Sequence, residues 1–279
     1  MELNTTVPAT TGTLDVPGAR LYYEVRGAGP LVVLVGAPMD ARAFAPLADQ
    51  LAGDHTVLTT DPRGINRSTV HDRDRDSTPE VRADDLSRLI AHVGGPNGAA
   101  VVLGSSGGAV TALALVQAHP ERVSTVIAHE PPLLELLPDR EEQRRRTEEM
   151  VATYLRGDVL GAWRAFLADA GIPVPDEAIE QMFGGERDPQ AIADEHFWFA
   201  HEMRPSTYWT PDIAILRNTP ARVVAGIGDS SRGQFCERTT TALAAALGME
   251  PTWFPGDHTG FVDEPAAFAA RVREVSARP

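Results

Sequence analysis

Short runs of apolar, largely β-branched residues recur along this chain, each followed by residues spaced like one face of a helix. That alternation constrains the fold more than any other feature. Leu31–Val35, Thr56–Thr60, Ala99–Leu103 and Val123–Ala128 read as strands, and the pattern resumes late with Arg222–Ala225 and the shorter Pro251–Phe254. Helical spacing follows in the stripe Phe44, Leu47, Leu51, in Val81–Val93 with Leu86, Leu89 and Ile90, and in Val110–Ala118, Thr240–Leu247 and Pro265–Val275. A continuous apolar run fits a strand buried on both faces, as in a parallel sheet layered between helices. The predicted class is therefore α/β, with a mostly parallel sheet. Thr13–Val16, Pro17-Gly18 and Ala19–Val25 add a strand, a tight turn and a strand at the start.

Between Pro132 and Pro220 the valine-rich runs stop. Glu141–Leu155, Leu160–Ala168 and Ala191–Met203 are helix-like instead. The expected organisation is a core formed by residues 1–132 and 220–279, interrupted by a helical insertion over 133–219 that sits on the sheet. A chain of 279 residues suits one large domain with such an insertion. His71-Asp72-Arg73-Asp74-Arg75-Asp76 reads as a solvated loop.

The chemistry concentrates at Gly104-Ser105-Ser106-Gly107-Gly108, between the strand Ala99–Leu103 and the following helix. This is a G-x-S-x-G sequence in strand-to-helix context. A turn that tight leaves no room for side chains beside its central serine, which explains the small neighbours. Ser106 is the predicted nucleophile. A serine hydroxyl needs a base, and the base needs an orienting acid. Of eight histidines, His258 lies in the loop after the last short strand, at the carboxyl edge where sites form in parallel sheets. His129 is a weaker rival, and His55, His92 and His119 suit capping or solvated roles. For the acid, Asp229 directly follows the strand Arg222–Ala225 and gives the chain order Ser106, Asp229, His258. Glu130, just after Val123–Ala128, is the alternative acid. The oxyanion hole is assigned to the N–H groups of Gly107 and Ala37, since Pro38 has none.

Composition excludes other chemistries. The chain has no lysine, so neither a Schiff base nor a P-loop is available. Its net charge of -14 argues against nucleic acid as a partner. The single cysteine, Cys236, rules out a disulfide framework and a multi-cysteine metal site. His196 and His201 are five residues apart and no H-E-x-x-H is present, so no metal is expected; nor is any cofactor. The amino-terminal residues have no signal-peptide pattern and no apolar stretch suits a membrane span. A cytoplasmic protein with a small-molecule substrate is expected, with homodimer formation left open.

Asp61-Pro62-Arg63-Gly64-Ile65-Asn66-Arg67-Ser68, Gly104-Ser105-Ser106-Gly107-Gly108, Gly226-Ile227-Gly228-Asp229, and Gly256-Asp257-His258 with Phe261 follow one another along the chain. Four such sequences in this order resemble the α/β-hydrolase superfamily, in its esterase, lactonase and haloperoxidase-like branch with a helical cap. The resemblance covers Leu14 to Val275. It implies a serine esterase with a catalytic triad, and Ser106 at the nucleophile position argues against the aspartate-dependent branches. One departure is Val35-Gly36, where the family usually has His-Gly. The aromatic residues Phe197, Trp198 and Trp209 are the candidates for a substrate pocket above Ser106. The expected reaction is cleavage of a largely apolar ester or lactone through an acyl-enzyme. Carbon–carbon bond hydrolysis and cofactor-free perhydrolysis are rivals among enzymes. A small-molecule binding protein with little turnover is the rival from another class.

Overall fold

The structure is a computed structural model that describes residues 7–277. Its strands are β1 (Thr10–Val16), β2 (Ala19–Arg26), β3 (Leu31–Val35), β4 (Thr56–Thr60), β5 (Thr69–Val70), β6 (Ala100–Ser105), β7 (Val123–His129), β8 (Arg222–Gly228) and β9 (Thr252–Phe254). They form one sheet in the order β1-β2-β4-β3-β6-β7-β8-β9, with β5 paired to β2. The hairpin β1–β2 turns at Pro17-Gly18 and is antiparallel, as is the pairing of β2 with β4. From β4 to β9 every neighbour is parallel.

The two-faced burial expected of the apolar runs is present, residue by residue. In β3, Val33 and Val35 enter one hydrophobic cluster while Val32 and Leu34 enter the other. In β7, Val126 and Ala128 divide from Ile127 in the same way. Alternate side chains of a strand point to opposite faces, so a sheet layered on both sides needs an unbroken apolar run. Each fully buried valine or leucine contributes about 1.5–3 kcal/mol by leaving water.

The first cluster is closed by α2 (Pro79–Gly94), α3 (Gly107–Ala118) and later α10 (Phe235–Leu247); the second is closed by α1 (Ala45–Leu51), α11 (Gly260–Asp263) and α12 (Pro265–Ala277). Local sequence sets the ends of these helices. Thr78 caps α2 by accepting the Val81 N–H at 3.4 Å, and Pro79 occupies the first turn, where a missing N–H costs nothing.

Between β7 and β8 the described chain is helical: α4 (Arg140–Leu155), α5 (Val159–Ala170), α6 (Asp176–Phe183), α7 (Pro189–Phe197), α8 (Met203–Thr207) and α9 (Ile213–Asn218). Asp158 caps α5 through the Gly161 N–H, and Gly171, at φ 74°, ends it. The single helix expected over Ala191–Met203 is instead α7, a π-helical segment Trp198–Glu202, and α8. The helical period breaks where the consecutive rings of Phe197, Trp198 and Phe199 are all buried, which one stripe of an α-helix does not accommodate. These helices carry their own cluster, including Met150, Val151, Tyr154, Trp198, Phe199 and Met203.

Helix α3 packs closely against the end of β3. A Cβ on Gly108 would collide with the Val35 carbonyl oxygen and lie 2.7 Å from Gly36 Cα, both of them backbone that cannot rotate away. Gly108→Ala should therefore destabilise the protein by about 1–3 kcal/mol, whereas Gly53→Ala, which meets open space, should change stability by no more than about 0.5 kcal/mol. Denaturant melts of the two variants check this; equal midpoints would overturn the packing argument.

Candidate active site

Strand β6 delivers Ser106 to the carboxyl edge of the sheet and α3 starts immediately after it. Ser106 has φ 56° and ψ −127°, a conformation that a residue with a side chain adopts only when the surrounding chain enforces it. The enforcement is visible in the neighbours. A Cβ on Gly104 would strike the Gly108 carbonyl, and one on Gly107 would lie 2.6 Å from the Ala37 carbonyl oxygen. The Ser106 N–H donates to the His129 carbonyl at 3.0 Å, tying the bend to the neighbouring strand β7. Gly107 is the first residue of α3, so its N–H has no carbonyl one turn earlier to bond.

His258, in the loop after β9, is bonded through Nδ1 to Glu130 Oε2 at 2.6 Å. This corrects the expectation for Asp229. Asp229 is exposed; its N–H donates to the Phe254 carbonyl and its carboxylate accepts from the Ser230 hydroxyl. Glu130 is fully buried and sits at φ 51°. Its N–H donates to the Gly226 carbonyl, and its Oε1 accepts the Gly228 N–H at 2.9 Å. The left-handed turn directly after β7 aims the carboxylate across the end of β8 toward His258. Asp229 lies one strand further along, where the chain has already turned outward. Burial alone would raise the Glu130 carboxyl, but the bond from His258 and the nearby imidazoles overcome this and hold it at about 2.

The turn after β3 lacks the histidine that resembling chains carry, and other groups hold it. Asp61 Oδ1 accepts the Ala41 N–H at 3.0 Å, and Asn66 Nδ2 donates to Asp40 Oδ2 at 3.0 Å. Arg67 braces Asp61 through Nε at 2.7 Å and Nη2 at 2.8 Å. The segment Asp61–Ser68 is thus the scaffold of the turn that bears Ala37. Sequence reasoning noted this segment without finding its task, because its partners in the turn lie twenty or more residues away.

Ala37, Ser106, Gly107 and His258 all border one cavity of about 260 Å³. Its other walls come from α4, α5, the π-helical segment and α8 and include Met150, Trp163, Phe166, Trp198 and Met203. Of the aromatic residues expected here, only Trp198 lines it. Phe197 is turned the other way and packs on Gly64, where a Cβ would lie 2.5 Å from its ring. Trp209 packs against the sheet's first cluster and donates its indole N–H to Glu80 at 2.8 Å. Trp163 and Phe166 take their places, which helical spacing in α5 did not distinguish from ordinary core. Cys236 also borders the cavity, and burial pushes its thiol well above the usual range.

Among the remaining histidines, His55, His92 and His119 bond Asp54, Tyr23 and Asp84 respectively. Among the described residues, no group of three or more His, Cys, Asp and Glu side chains could hold a metal ion, and no helix is long and apolar enough to cross a membrane. His129 is fully buried against Phe254, Phe261 and Phe268, with Nδ1 3.2 Å from Ser105 Oγ. Burial lowers it to about 4 from 6.5, with the charge of Glu130 working against the shift. Between those two values the unfolded chain binds a proton that the folded chain refuses, so stability falls as pH drops through that window and levels off below it. His129→Asn should flatten the fall in Tm between pH 6.5 and 4; thermal melts across that range check it, and unchanged slopes would refute it.

The alpha/beta hydrolase fold model matches residues 29–161. The uncharacterized hydrolase YraK of Bacillus subtilis is 33% identical over 277 residues, covering 95% of each chain. The zearalenone hydrolase of Bionectria ochroleuca is 27% identical, covering 96% of this chain and 98% of that one. Among solved structures, Est816, described as an N-acyl homoserine lactone degrading enzyme, superposes with a TM-score of 0.68 at 20% identity, over 94% of this chain and 99% of that one. With the strand-to-helix turn at Ser106, the sheet order and a relative of this identity along nearly its whole length, the chain belongs to the alpha/beta hydrolase fold family.

Proposed function

We propose that this protein is a serine hydrolase that cleaves a neutral, largely apolar carboxylic ester or lactone through an acyl-enzyme. The observation that carries the reading is the 2.6 Å bond between His258 and buried Glu130, with His258 and Ser106 bordering the same cavity. Ser106 Oγ attacks the carbonyl carbon while His258 Nε2 takes the hydroxyl proton. The Nδ1–H of His258 donates to Glu130 Oε2, which fixes the tautomer. Glu130 is ionised at neutral pH because its carboxyl titrates near 2, so it stabilises the imidazolium as it forms. The N–H groups of Gly107 and Ala37 receive the oxyanion, helped by the positive end of α3. Collapse breaks the carbonyl–alkoxy bond, and His258 returns its proton to the departing oxygen. A water then attacks the acyl carbon with His258 again as base, and Ser106 is released. With a lactone the alcohol and acid remain in one molecule.

The walls support a neutral substrate. Apart from His258, the ionisable side chains at the cavity are Asp169, which is paired with Arg146 at 3.2 Å, and the protonated thiol of Cys236. Among the described residues, no arginine lines it to clamp an acid. The helices between β7 and β8 act as a cap in this reading, since α4, α5, the π-helical segment and α8 supply walls of the cavity that Ser106 borders. The names of the zearalenone hydrolase relative and of the lactone-degrading enzyme with the same fold agree with ester or lactone cleavage.

Ser106→Ala should abolish turnover of an activated ester and labelling by a fluorophosphonate, with circular dichroism unchanged. Glu130→Gln should lower kcat on the order of 10³–10⁴-fold, and Asp229→Asn should leave it near wild type. Retained turnover in Ser106→Ala would defeat the proposal. Ligand binding with no labelling of the wild-type protein would favour a binding protein instead, and full activity in Glu130→Gln would remove Glu130 from the triad.

A further inference from the structure

The cap contains a buried carboxylate that the reaction above does not use. Glu195, on α7, keeps both oxygens away from solvent and saturates them with four bonds. Oε1 accepts from Tyr154 Oη at 3.0 Å and Arg187 Nη2 at 3.0 Å; Oε2 accepts from Trp163 Nε1 at 2.6 Å and Arg187 Nη1 at 2.7 Å. Tyr154 is on α4, Trp163 on α5, and Arg187 on the segment leading into α7, so one side chain joins separate parts of the cap. A buried charge costs several kcal/mol unless it is fully partnered. Here the partnering falls on a residue that reaches the substrate space. Trp163 borders the cavity, whereas Glu195 does not.

Trp163 is also the centre of an aromatic group. Its ring stacks on Phe183 at 3.9 Å and on Trp198 at 5.4 Å, and it meets Phe166 edge-on at 5.5 Å. Phe166 meets Trp198 edge-on at 5.1 Å. Trp163, Phe166 and Trp198 are the three that face the cavity. Ring quadrupoles reward an incoming aryl group for offset or edge-to-face contact, beyond the area it buries. An alkyl chain gains area alone and is indifferent to ring orientation. The indole N–H is the one polar handle on Trp163, and Glu195 holds it.

We propose that Glu195 is a positioning residue for substrate choice: by fixing the Trp163 indole it makes the cap wall an aryl subsite, so that esters or lactones carrying an aromatic ring near the scissile bond are preferred. This rests on the ester or lactone hydrolase reading for its chemistry, and the test is built on binding so that the two can fail separately.

The test uses the full chain carrying Ser106→Ala, so that ligand is not consumed, and isothermal titration with methyl 2-naphthoate and methyl octanoate. Adding Glu195→Ala should weaken naphthoate roughly three- to tenfold and change octanoate by no more than about twofold. Glu195→Gln keeps a carbonyl oxygen for the indole N–H but loses the charge pair with Arg187. It should keep both affinities within about twofold while lowering Tm as the alanine variant does. A merely structural role predicts equal losses for both esters, following Tm; that result, or no loss for either, overturns the proposal. If Glu195→Ala does not fold, Trp163→Phe in the same background removes the indole N–H, and naphthoate should lose more than octanoate; equal losses again overturn it. Wild-type hydrolysis of both esters without aryl preference would refute the role of Glu195 alone, and a protein without hydrolase activity would leave the titration readable.

Discussion

The parallel pairing of β6 with β7 holds the rest of the site in place. It sets Ser105 against His129 in register, and the next main-chain bond, from the Ser106 N–H to the His129 carbonyl, carries that register into the bend. One residue further on β7, Glu130 donates its N–H to Gly226 at the end of β8. Ser106 and Glu130 are thus fixed by bonds on the two neighbouring ladders that β7 makes, with β6 and with β8, at strand ends where the backbone is no longer free to choose. Both residues stand at positive φ, and both are held there by hydrogen bonds on the neighbouring strand. The strain is tolerated because a sheet buried on both faces cannot yield locally without opening its core.

Burial then separates the two carboxylates that compete for the role of acid. Glu130 has no exposure, so its charge persists only with donors on both oxygens, and His258 and Gly228 supply them. That arrangement fixes the imidazole tautomer and keeps the carboxylate ionised. Asp229 is solvated at the surface and gains nothing from an imidazole. The turn bearing Ala37 shows the same economy of means. Asp61 and Asn66, with Arg67 behind Asp61, brace it.

The helices between β7 and β8 follow different rules from the sheet. Their aromatic cluster is held around a saturated polar hub rather than around strands. A ring is a broad rigid wall, but its rotation about the side chain is unconstrained unless neighbours or a hydrogen bond stop it. In Trp163 both restraints are present, stacking on its faces and Glu195 at its edge. The cavity therefore has one stiff side from the strand ends and one stiff side from the inserted helices.

The layered α/β architecture was legible in the chain itself, because burial on both faces forces runs such as Leu31–Val35 to be apolar without interruption. So was the position of Ser106 at a strand-to-helix bend, since a bend of that curvature admits only small neighbours, and so was the position of His258 in the loop after the last strand. The choice between Glu130 and Asp229 was not legible. Both follow strands, and both lie between serine and histidine in the chain. Nor could spacing tell Trp163 and Phe166, which reach the cavity, from Phe197 and Trp209, which do not. Sequence periodicity records which face of an element is buried. It does not record what that face is buried against, and that depends on strand order and on how the inserted helices settle over the sheet.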